Sequence, residues 1–364
     1  RDRDMLSKCP SPRGYIADHS RAVVLCAAFL MLGALLMPTD IHAYLMPYMD
    51  KENNGTTHRV YSLKEKNWLI ASTAVGTIVG IYPTSFLLAR YGARWVLFTD
   101  GILSAATACL VPLCFDLSLG AALGVRFVMG CLYAADFGAL GLIVSRLAPK
   151  SETALFGAVL SSFVVLRNIL EIPVASAILS LVYDWRVVYY TIGVMIVVCS
   201  FIWLLLYRDH PSESYASEAE VALISRDKSL VKELRIRPPY RLILTDIAVY
   251  GMWAAAFVDI AVSVMMGTYL TSYLDLFHFT NVETAWAGNI AGYGIVVFKI
   301  IAGLISDHIN IISERIKIRL FSLVSLLGPA AMLAAMAIVP SDSAVFWQIV
   351  FTVAIQWFVG WNAG

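Results

Sequence analysis

The chain has 364 residues, of which 59% are hydrophobic and 15% are charged. Soluble domains average about 45–50% apolar and about 25% charged residues, so the composition excludes a disordered chain and an ordinary soluble enzyme and favours a membrane protein. The net charge is +1, and because this balance gives no attraction to a polyanion we expect no nucleic-acid partner. The six cysteines lack metal-ligand spacing, which predicts neither a metal site nor a disulfide framework.

Ten apolar runs follow one another along the chain, and each is close to the about 20 residues that a helix needs to cross a bilayer. The runs are 22–48, 67–89, 95–115, 118–145, 153–182, 187–207, 246–274, 284–306, 316–339 and 344–363. The pattern predicts an all-α membrane protein.

A long polar connector divides the runs into six and four. The expected segments are a cytoplasmic N-terminal segment at 1–21, a six-helix bundle at 22–207, a cytoplasmic central loop at 208–245 and an incomplete four-helix bundle at 246–364. Within the loop, the capping box that starts at Ser217 predicts a short amphipathic helix. The first residue is Arg1 rather than Met, and we expect a piece of a longer protein from which about two helices are missing.

The distribution of positive charge predicts the orientation in the membrane. Of the 27 Lys and Arg residues, 19 fall in connectors on the side of the N-terminus and five in connectors on the other side. Cytoplasmic loops carry the excess of Lys and Arg, so we expect the N-terminus in the cytoplasm. Asn54-Gly55-Thr56 in the first outer connector is an N-glycosylation acceptor, which agrees with this orientation and predicts a glycan on Asn54.

Two connectors share a motif. Residues 85–94, after the second run, read Ser-Phe-Leu-Leu-Ala-Arg-Tyr-Gly-Ala-Arg, and residues 303–308, after the eighth, read Gly-Leu-Ile-Ser-Asp-His. Each resembles part of the G-x-x-x-D-R-x-G-x-R/K turn of the major facilitator superfamily. The resemblance implies the major facilitator fold, with two homologous six-helix halves, the second truncated here to about four helices. The matching positions are Arg90, Gly92, Arg94, Gly303 and Asp307.

A tight turn needs glycine, and an arginine at a helix end can bond free carbonyls and an acid on a neighbouring helix. We therefore predict that the matching positions form a cytoplasmic gate together with Asp136, and that their bonds hold one conformation closed. Asp100 and Asp136 lie toward the predicted cytoplasmic ends of their runs, where we expect them to pair with cations. The expected partners are Arg90, Arg94, Arg146 and Lys150.

Further stretches narrow the resemblance to the anion transporter family that contains sodium–phosphate cotransporters, sialin and vesicular glutamate transporters. They are residues 126–130 with 148–149, residues 184–193, residues 209–220, and residues 239–240 with 269–274. The resemblance implies a secondary transporter of small organic or inorganic anions that uses a proton or sodium gradient. Vesicular glutamate members carry Glu and His at the positions of Tyr133 and Gly141 and an Arg in the region of Asp259, so this sequence departs from them there.

Charged residues inside the apolar runs are the candidate site residues, because a charge in hydrocarbon costs about 2.5 kcal/mol or more unless it meets a cavity or a partner. Arg126 is the first choice for an anion ligand, since its forked donors suit carboxylate and phosphate. The alternative is a structural ion pair. Arg167 and Glu171 share one helical face at i and i+4, and they either join the substrate site or neutralise each other.

Asp259, Asp40 and His42 are candidates for binding the coupling proton or cation, because a carboxyl in a cavity of low dielectric holds a proton more readily than in water. The alternative for each is an ordinary hydrogen-bonding role. Lys299 lies near the inner end of its run, and we expect its ammonium to extend to the interface.

The sequence has no nucleophile–base pair, metal motif or filter-like loop, so we expect neither an enzyme nor a channel, and no catalytic residue or cofactor. The alternative to a transporter is a non-transporting sensor or partner-binding membrane protein of the same fold. The sequence leaves open the substrate, the coupling ion and the oligomeric state. It also leaves open whether the protein resides in the plasma membrane or in an intracellular vesicle or lysosome.

Overall fold

The computed structural model describes residues 20–51, 61–149, 152–182, 184–209, 221, 240–275, 281–308, 313–338 and 345–361. The regular structure in these ranges is helical, which confirms the predicted all-α class. The predicted glycan site at Asn54 and the loop helix that starts at Ser217 lie outside them. The helices are α1 (Ser20–Lys51), α2 (Leu63–Leu117), α3 (Leu119–Tyr133), α4 (Asp136–Leu147), α5 (Thr153–Ser161), α6 (Phe163–Val182), α7 (Trp185–Leu206), α8 (Tyr240–Thr245), α9 (Ile247–Asp275), α10 (Asn281–His308), α11 (Glu314–Ile338) and α12 (Val345–Val359).

Eight helical stretches among the described residues are long and apolar enough to cross a membrane. One of them, Lys64–Leu117, has 54 residues and contains both the second and the third predicted run. A shorter apolar helix, Ile349–Val359, lies within the tenth run. The protein is therefore an integral membrane protein with helices at the predicted positions.

The second and third spans meet at a break inside α2. Gly92 has a φ of 80° and a ψ of 169°, a conformation that is essentially confined to glycine because it has no Cβ. The start of α2 is fixed by a capping box, in which Ser62 Oγ accepts from the Glu65 N–H at 3.4 Å and Glu65 Oε2 accepts from the Ser62 N–H at 2.8 Å.

The second and fourth spans pack backbone to backbone through three glycines. A Cβ atom at Gly76 or at Gly130 would overlap a backbone carbonyl of the other span, and one at Gly80 would also meet backbone atoms there. Small residues permit this approach in membranes, where helices associate by close van der Waals packing. We call Gly76, Gly80 and Gly130 the glycine seam. It fixes α3, which carries Arg126, against α2.

The fourth span is interrupted before its end. Ala134 and Ala135 form a turn, and α4 begins directly after it at Asp136. Ala135 provides no side-chain cap, so Asp136 is the first polar side chain at the start of the new helix.

The chain separates into two compact units. The first contains residues 1–150 and 166–226, and the second contains residues 151–165 and 227–364. Fully buried side chains of the first unit include Leu32, Leu97 and Trp203. The predicted six-helix bundle contains the whole fifth run. In the structure, α5 belongs to the second unit, because it packs against α10.

Candidate functional site

The fourth span carries Arg126 into the interior of the first unit, where 2% of its surface is exposed. Its Nε donates to the Leu69 carbonyl at 3.5 Å and its Nη1 to the Pro38 carbonyl at 3.4 Å. Both bonds are long, since N–H···O bonds cluster at about 2.9–3.0 Å. Among the described residues, no carboxylate lies within ion-pairing distance of this guanidinium. The structural ion pair considered for Arg126 is therefore not formed by the described residues.

Polar and aromatic side chains lie beside the arginine. His42 is buried, its Nδ1 lies 3.5 Å from the Tyr189 hydroxyl, and its ring centroid lies 5.2 Å from that of Phe115. The Tyr189 hydroxyl is within electrostatic range of both Arg126 and the buried Glu171. We call Arg126, His42, Glu171 and Tyr189 the arginine site. It combines one permanent cation with one carboxyl and two further hydrogen-bonding side chains.

The remaining predicted substrate and coupling residues are placed differently. Asp40 is exposed, and its Oδ1 accepts a 3.4 Å hydrogen bond from Thr39 Oγ1. Asp259 belongs to the second unit, where its Oδ1 accepts from Ser325 Oγ at 3.3 Å. The side chain of Arg167 lies outside the described part of the chain. Of the three coupling candidates, His42 is the one that the structure places in the arginine site.

At the predicted cytoplasmic end of the first unit, Asp209 joins the break in α2 to the end of the fourth span. Its Oδ1 accepts from the Ala93 N–H at 2.9 Å and from Arg146 Nη1 at 2.7 Å. The positive φ of Gly92 comes directly before Ala93, and a Cβ at Gly92 would collide with the Asp209 carboxylate. We call Gly92, Ala93, Arg94, Arg146 and Asp209 the Asp209 cluster.

The end of α7 completes the Asp209 cluster. Arg94 donates to the Leu204 carbonyl through Nη2 at 3.1 Å and Nε at 3.3 Å, and Trp203 Nε1 donates to the Arg94 carbonyl at 3.2 Å. Tyr207 stacks on Trp203 with ring centroids 4.1 Å apart, and burial raises the pKa of its hydroxyl above the usual range. Arg94 thus bonds one helix-end carbonyl through two nitrogens, and the acid of the cluster comes from the end of the sixth span.

Among the described residues, Asp100 and Asp136 do not form the predicted ion pairs. The described candidate partners have other contacts, which are the Tyr91 ring for Arg90, the Leu204 carbonyl for Arg94 and Asp209 for Arg146. Lys150 lies outside the described residues. The pairing with these arginines was wrong because a position in the sequence gives the depth of a side chain along its span, but not the neighbour toward which it points.

The second copy of the turn uses an acid of its own. Asp307 accepts from the N–H groups of Ala154 and Leu155 at 3.2 and 2.9 Å, and so caps the first turn of α5. Gly303 is buried against the same helix, where a Cβ would lie 3.0 Å from Leu155 Cα. We call this arrangement the Asp307 cap.

Lys299 does not extend to the interface as predicted. Its Nζ donates to Ser161 Oγ at 3.3 Å. Ser161 is the last residue of α5, so α10 binds α5 at both ends, through Asp307 at its start and Lys299 at its end.

The sequence model of the Major Facilitator Superfamily matches residues 22–363. The chain belongs to the Major Facilitator Superfamily. Its fold is shared by a solved structure of the superfamily, the proton:xylose symporter XylE bound to 6-bromo-6-deoxy-D-glucose. The two superpose with a TM-score of 0.67 over 95% of this chain and 81% of XylE, at 13% sequence identity. The predicted major facilitator fold is therefore confirmed.

The curated relatives of this superfamily member include sialin and a phosphate transport protein. Sialin of Homo sapiens is 23% identical over 302 residues, which cover 80% of this chain and 60% of sialin. Sodium-dependent phosphate transport protein 3 of Mus musculus is 20% identical over 298 residues, covering 78% of this chain and 60% of that protein. The chain thus spans about 60% of the length of these relatives. The resemblance to the anion transporter family is confirmed by these matches.

Two residues of these sites had not been singled out from the sequence. Tyr189 lies four residues after Trp185, which places both on one helical face, but this pattern is also typical of an ordinary helix core. Asp209 is the first acid after the sixth run. An acid at the end of a span can be recognised from the sequence. Its contact with Ala93, which lies 116 residues earlier, cannot.

Proposed function

We propose that the protein is a secondary transporter that moves small organic or inorganic anions across a membrane by alternating access, with Arg126 as the anion ligand. The proposal is carried by the buried guanidinium that has no carboxylate partner among the described residues. A guanidinium has five N–H donors, and the bonds to Pro38 and Leu69 use two of them. An anionic ligand would supply the opposite charge and would accept from the remaining donors, and both stabilise a buried cation.

The chemistry of the arginine site favours an anion with hydrogen-bonding groups. Carboxylate and phosphate both accept two parallel bonds from a guanidinium, and the relatives named above include a phosphate transport protein. Tyr189 and His42 can donate to or accept from further groups of the same ligand. Glu171 and Arg167 complete the proposed substrate residues, with Glu171 disfavouring a second negative charge at its end of the site.

The Asp209 cluster and the Asp307 cap form the proposed cytoplasmic gate. Both consist of hydrogen bonds from helix N–H groups to an acid, and such bonds can hold one conformation closed and break in another. The charge distribution supports a cytoplasmic position for the gate and for the N-terminus. We propose a proton or sodium ion as the coupling ion, with His42, Asp40 and Asp259 as candidate sites.

The test is uptake by the full-length protein in proteoliposomes under imposed proton and sodium gradients. Labelled phosphate, glutamate, urate and sialic acid would be offered in turn. We expect Arg126→Ala to abolish uptake of the transported anion and Arg126→Lys to weaken it, because an ammonium keeps the charge and loses the fork. Arg186→Ala is the matched control, since Arg186 pairs with Asp116 and Asp184.

Normal uptake by a folded Arg126→Ala protein would rule out the ligand role. Binding of an anion without transport by the complete protein would favour a sensor instead. Failure of all anions to bind or to move would overturn the proposed function as a whole.

A further inference from the structure

Two buried carboxyls in the first unit have no partner among the described residues. Asp136 is fully buried, and Asp100 has 6% of its surface exposed. Both carboxylate oxygens of Asp136 and Oδ2 of Asp100 lack a hydrogen-bond partner. Asp100 belongs to the third span and Asp136 to the fourth, and the Asp136 carboxyl is within electrostatic range of Asp100. They therefore form a pair that is separate from the arginine site.

The two described arginines nearest to the pair along spans three and four are bonded to other groups. Arg94, six residues from Asp100, is bonded to the Leu204 carbonyl, and Arg146, ten residues from Asp136, is paired with Asp209. The titratable group that faces Asp136 from α3 is the Tyr133 hydroxyl. At the level of Gly101, next to Asp100, α1 contributes Met31 and α7 contributes Ser200, whose hydroxyl donates to its own helix. The residue before Ser200 on α7 is Cys199, which carries a titratable thiol.

Two ionised carboxylates are costly in this setting. Removing each charge from water costs about 2.5 kcal/mol or more in a membrane interior. The two negative charges also repel each other. One proton ends the repulsion and removes the desolvation cost of one of the two charges, and it gives the pair an O–H donor for the remaining carboxylate. Asp136 is also the first residue of α4, and the positive end of a helix stabilises the ionised form. The same group can therefore hold a proton and release it.

We propose that Asp100 and Asp136 form a shared proton-binding site, which takes one proton from water and returns it to water during each transport cycle. The step is balanced by the proton alone, since a carboxylate oxygen gains the O–H bond on loading and loses it on release, and the charge of the pair changes by one. The coupling role rests on the proposed transport function, whereas proton binding by the pair does not.

Proton binding can be measured without any substrate. Infrared difference spectra of the full-length protein in lipid, recorded during a pH titration, show the C=O band of a protonated carboxyl. We expect the wild-type protein to keep such a band at neutral pH, and we expect Asp136→Asn and Asp100→Asn each to remove or shift it. Asparagine is nearly isosteric with the neutral acid, so both variants should fold. Asp116→Asn, at an exposed acid of the same long helix as Asp100, should leave the band unchanged.

Either of two infrared results would overturn the site: a wild-type protein without a protonated carboxyl at neutral pH, or a band that neither substitution changes. The coupling role is tested separately in proteoliposomes. We expect the Asp100→Asn/Asp136→Asn protein to lose proton-driven accumulation of the anion while anion exchange at equal pH persists. Unchanged proton-driven accumulation would overturn the coupling. Loss of exchange in Arg126→Ala, by contrast, concerns the anion site, so the two failures are distinguishable.

Discussion

At both copies of the superfamily turn an acid accepts backbone N–H groups, but the two acids come from different segments of the chain. In the first copy, Ala89 stands where the motif has an acid, and Asp209 from the end of the sixth span accepts the Ala93 N–H instead. In the second copy, Asp307 lies within the turn itself and accepts two N–H groups of α5. Free N–H groups at the start of a helix require an acceptor. The comparison shows that an acid binds backbone N–H groups at both turns, although the donor belongs to the turn in the first copy and to the start of α5 in the second.

The largest expected effect is a loss of stability in the first copy of the turn, where Gly92 has a backbone conformation that favours glycine. Gly92→Ala places a side chain at a φ of 80° and against the Asp209 carboxylate, which should cost about 3 kcal/mol in the stability of the first unit. Thermal unfolding of the purified protein measures the loss. Gly141→Ala is the control, because nothing lies within 4 Å of a Cβ there. Equal stability of the two variants would remove the special role of Gly92.

A smaller loss of stability is expected when Asp209, the acid that binds the first copy, loses its charge. Asp209→Asn keeps an acceptor for the Ala93 N–H but loses the 2.7 Å ion pair with Arg146. Because both side chains are partly exposed, we expect a loss of about 1 kcal/mol. Thermal unfolding of Asp209→Asn, Arg146→Gln and the double variant gives the coupling energy. Strict additivity of the single effects would show that the pair contributes nothing.

The acid of the second copy should act locally. Asp307→Ala removes the cap of α5, which is expected to cost about 1 kcal/mol and to speed amide hydrogen exchange in residues 153–161. Asp246→Ala is the matched control in the same unit, since Asp246 Oδ1 accepts the Ala248 N–H at 2.9 Å before α9. Unchanged exchange in α5 would mean that packing against Gly303 holds this helix without the cap.

The smallest effect tests whether both copies face the same compartment. Asn54→Gln should leave stability unchanged and abolish a glycosidase-sensitive mobility shift of the full-length protein made in cells that glycosylate. An outer first connector would place both turns on the cytoplasmic side. Absence of the shift in the wild-type protein would remove this support for the orientation.

The helical fold followed from the apolar runs, because a bilayer permits few alternatives to helices of about 20 residues. The burial of Arg126 also followed, since an arginine inside such a run must avoid lipid. The bonding partners of the charged side chains could not be predicted from the sequence. Arg146 pairs with Asp209 rather than with Asp136, and Lys299 bonds Ser161, because side-chain direction and the contacts of distant segments depend on how the helices pack. Periodicity and charge counting do not carry that information.

The glycine seam has a mechanical consequence. Where Gly76, Gly80 and Gly130 bring two backbones into contact, no side chain remains between them to yield or to change rotamer. We therefore expect the second and fourth spans to move together as one rigid body that carries Arg126. Under the proposed function, access to Arg126 changes through elements that move around these two spans, and the anion moves to a stationary cation.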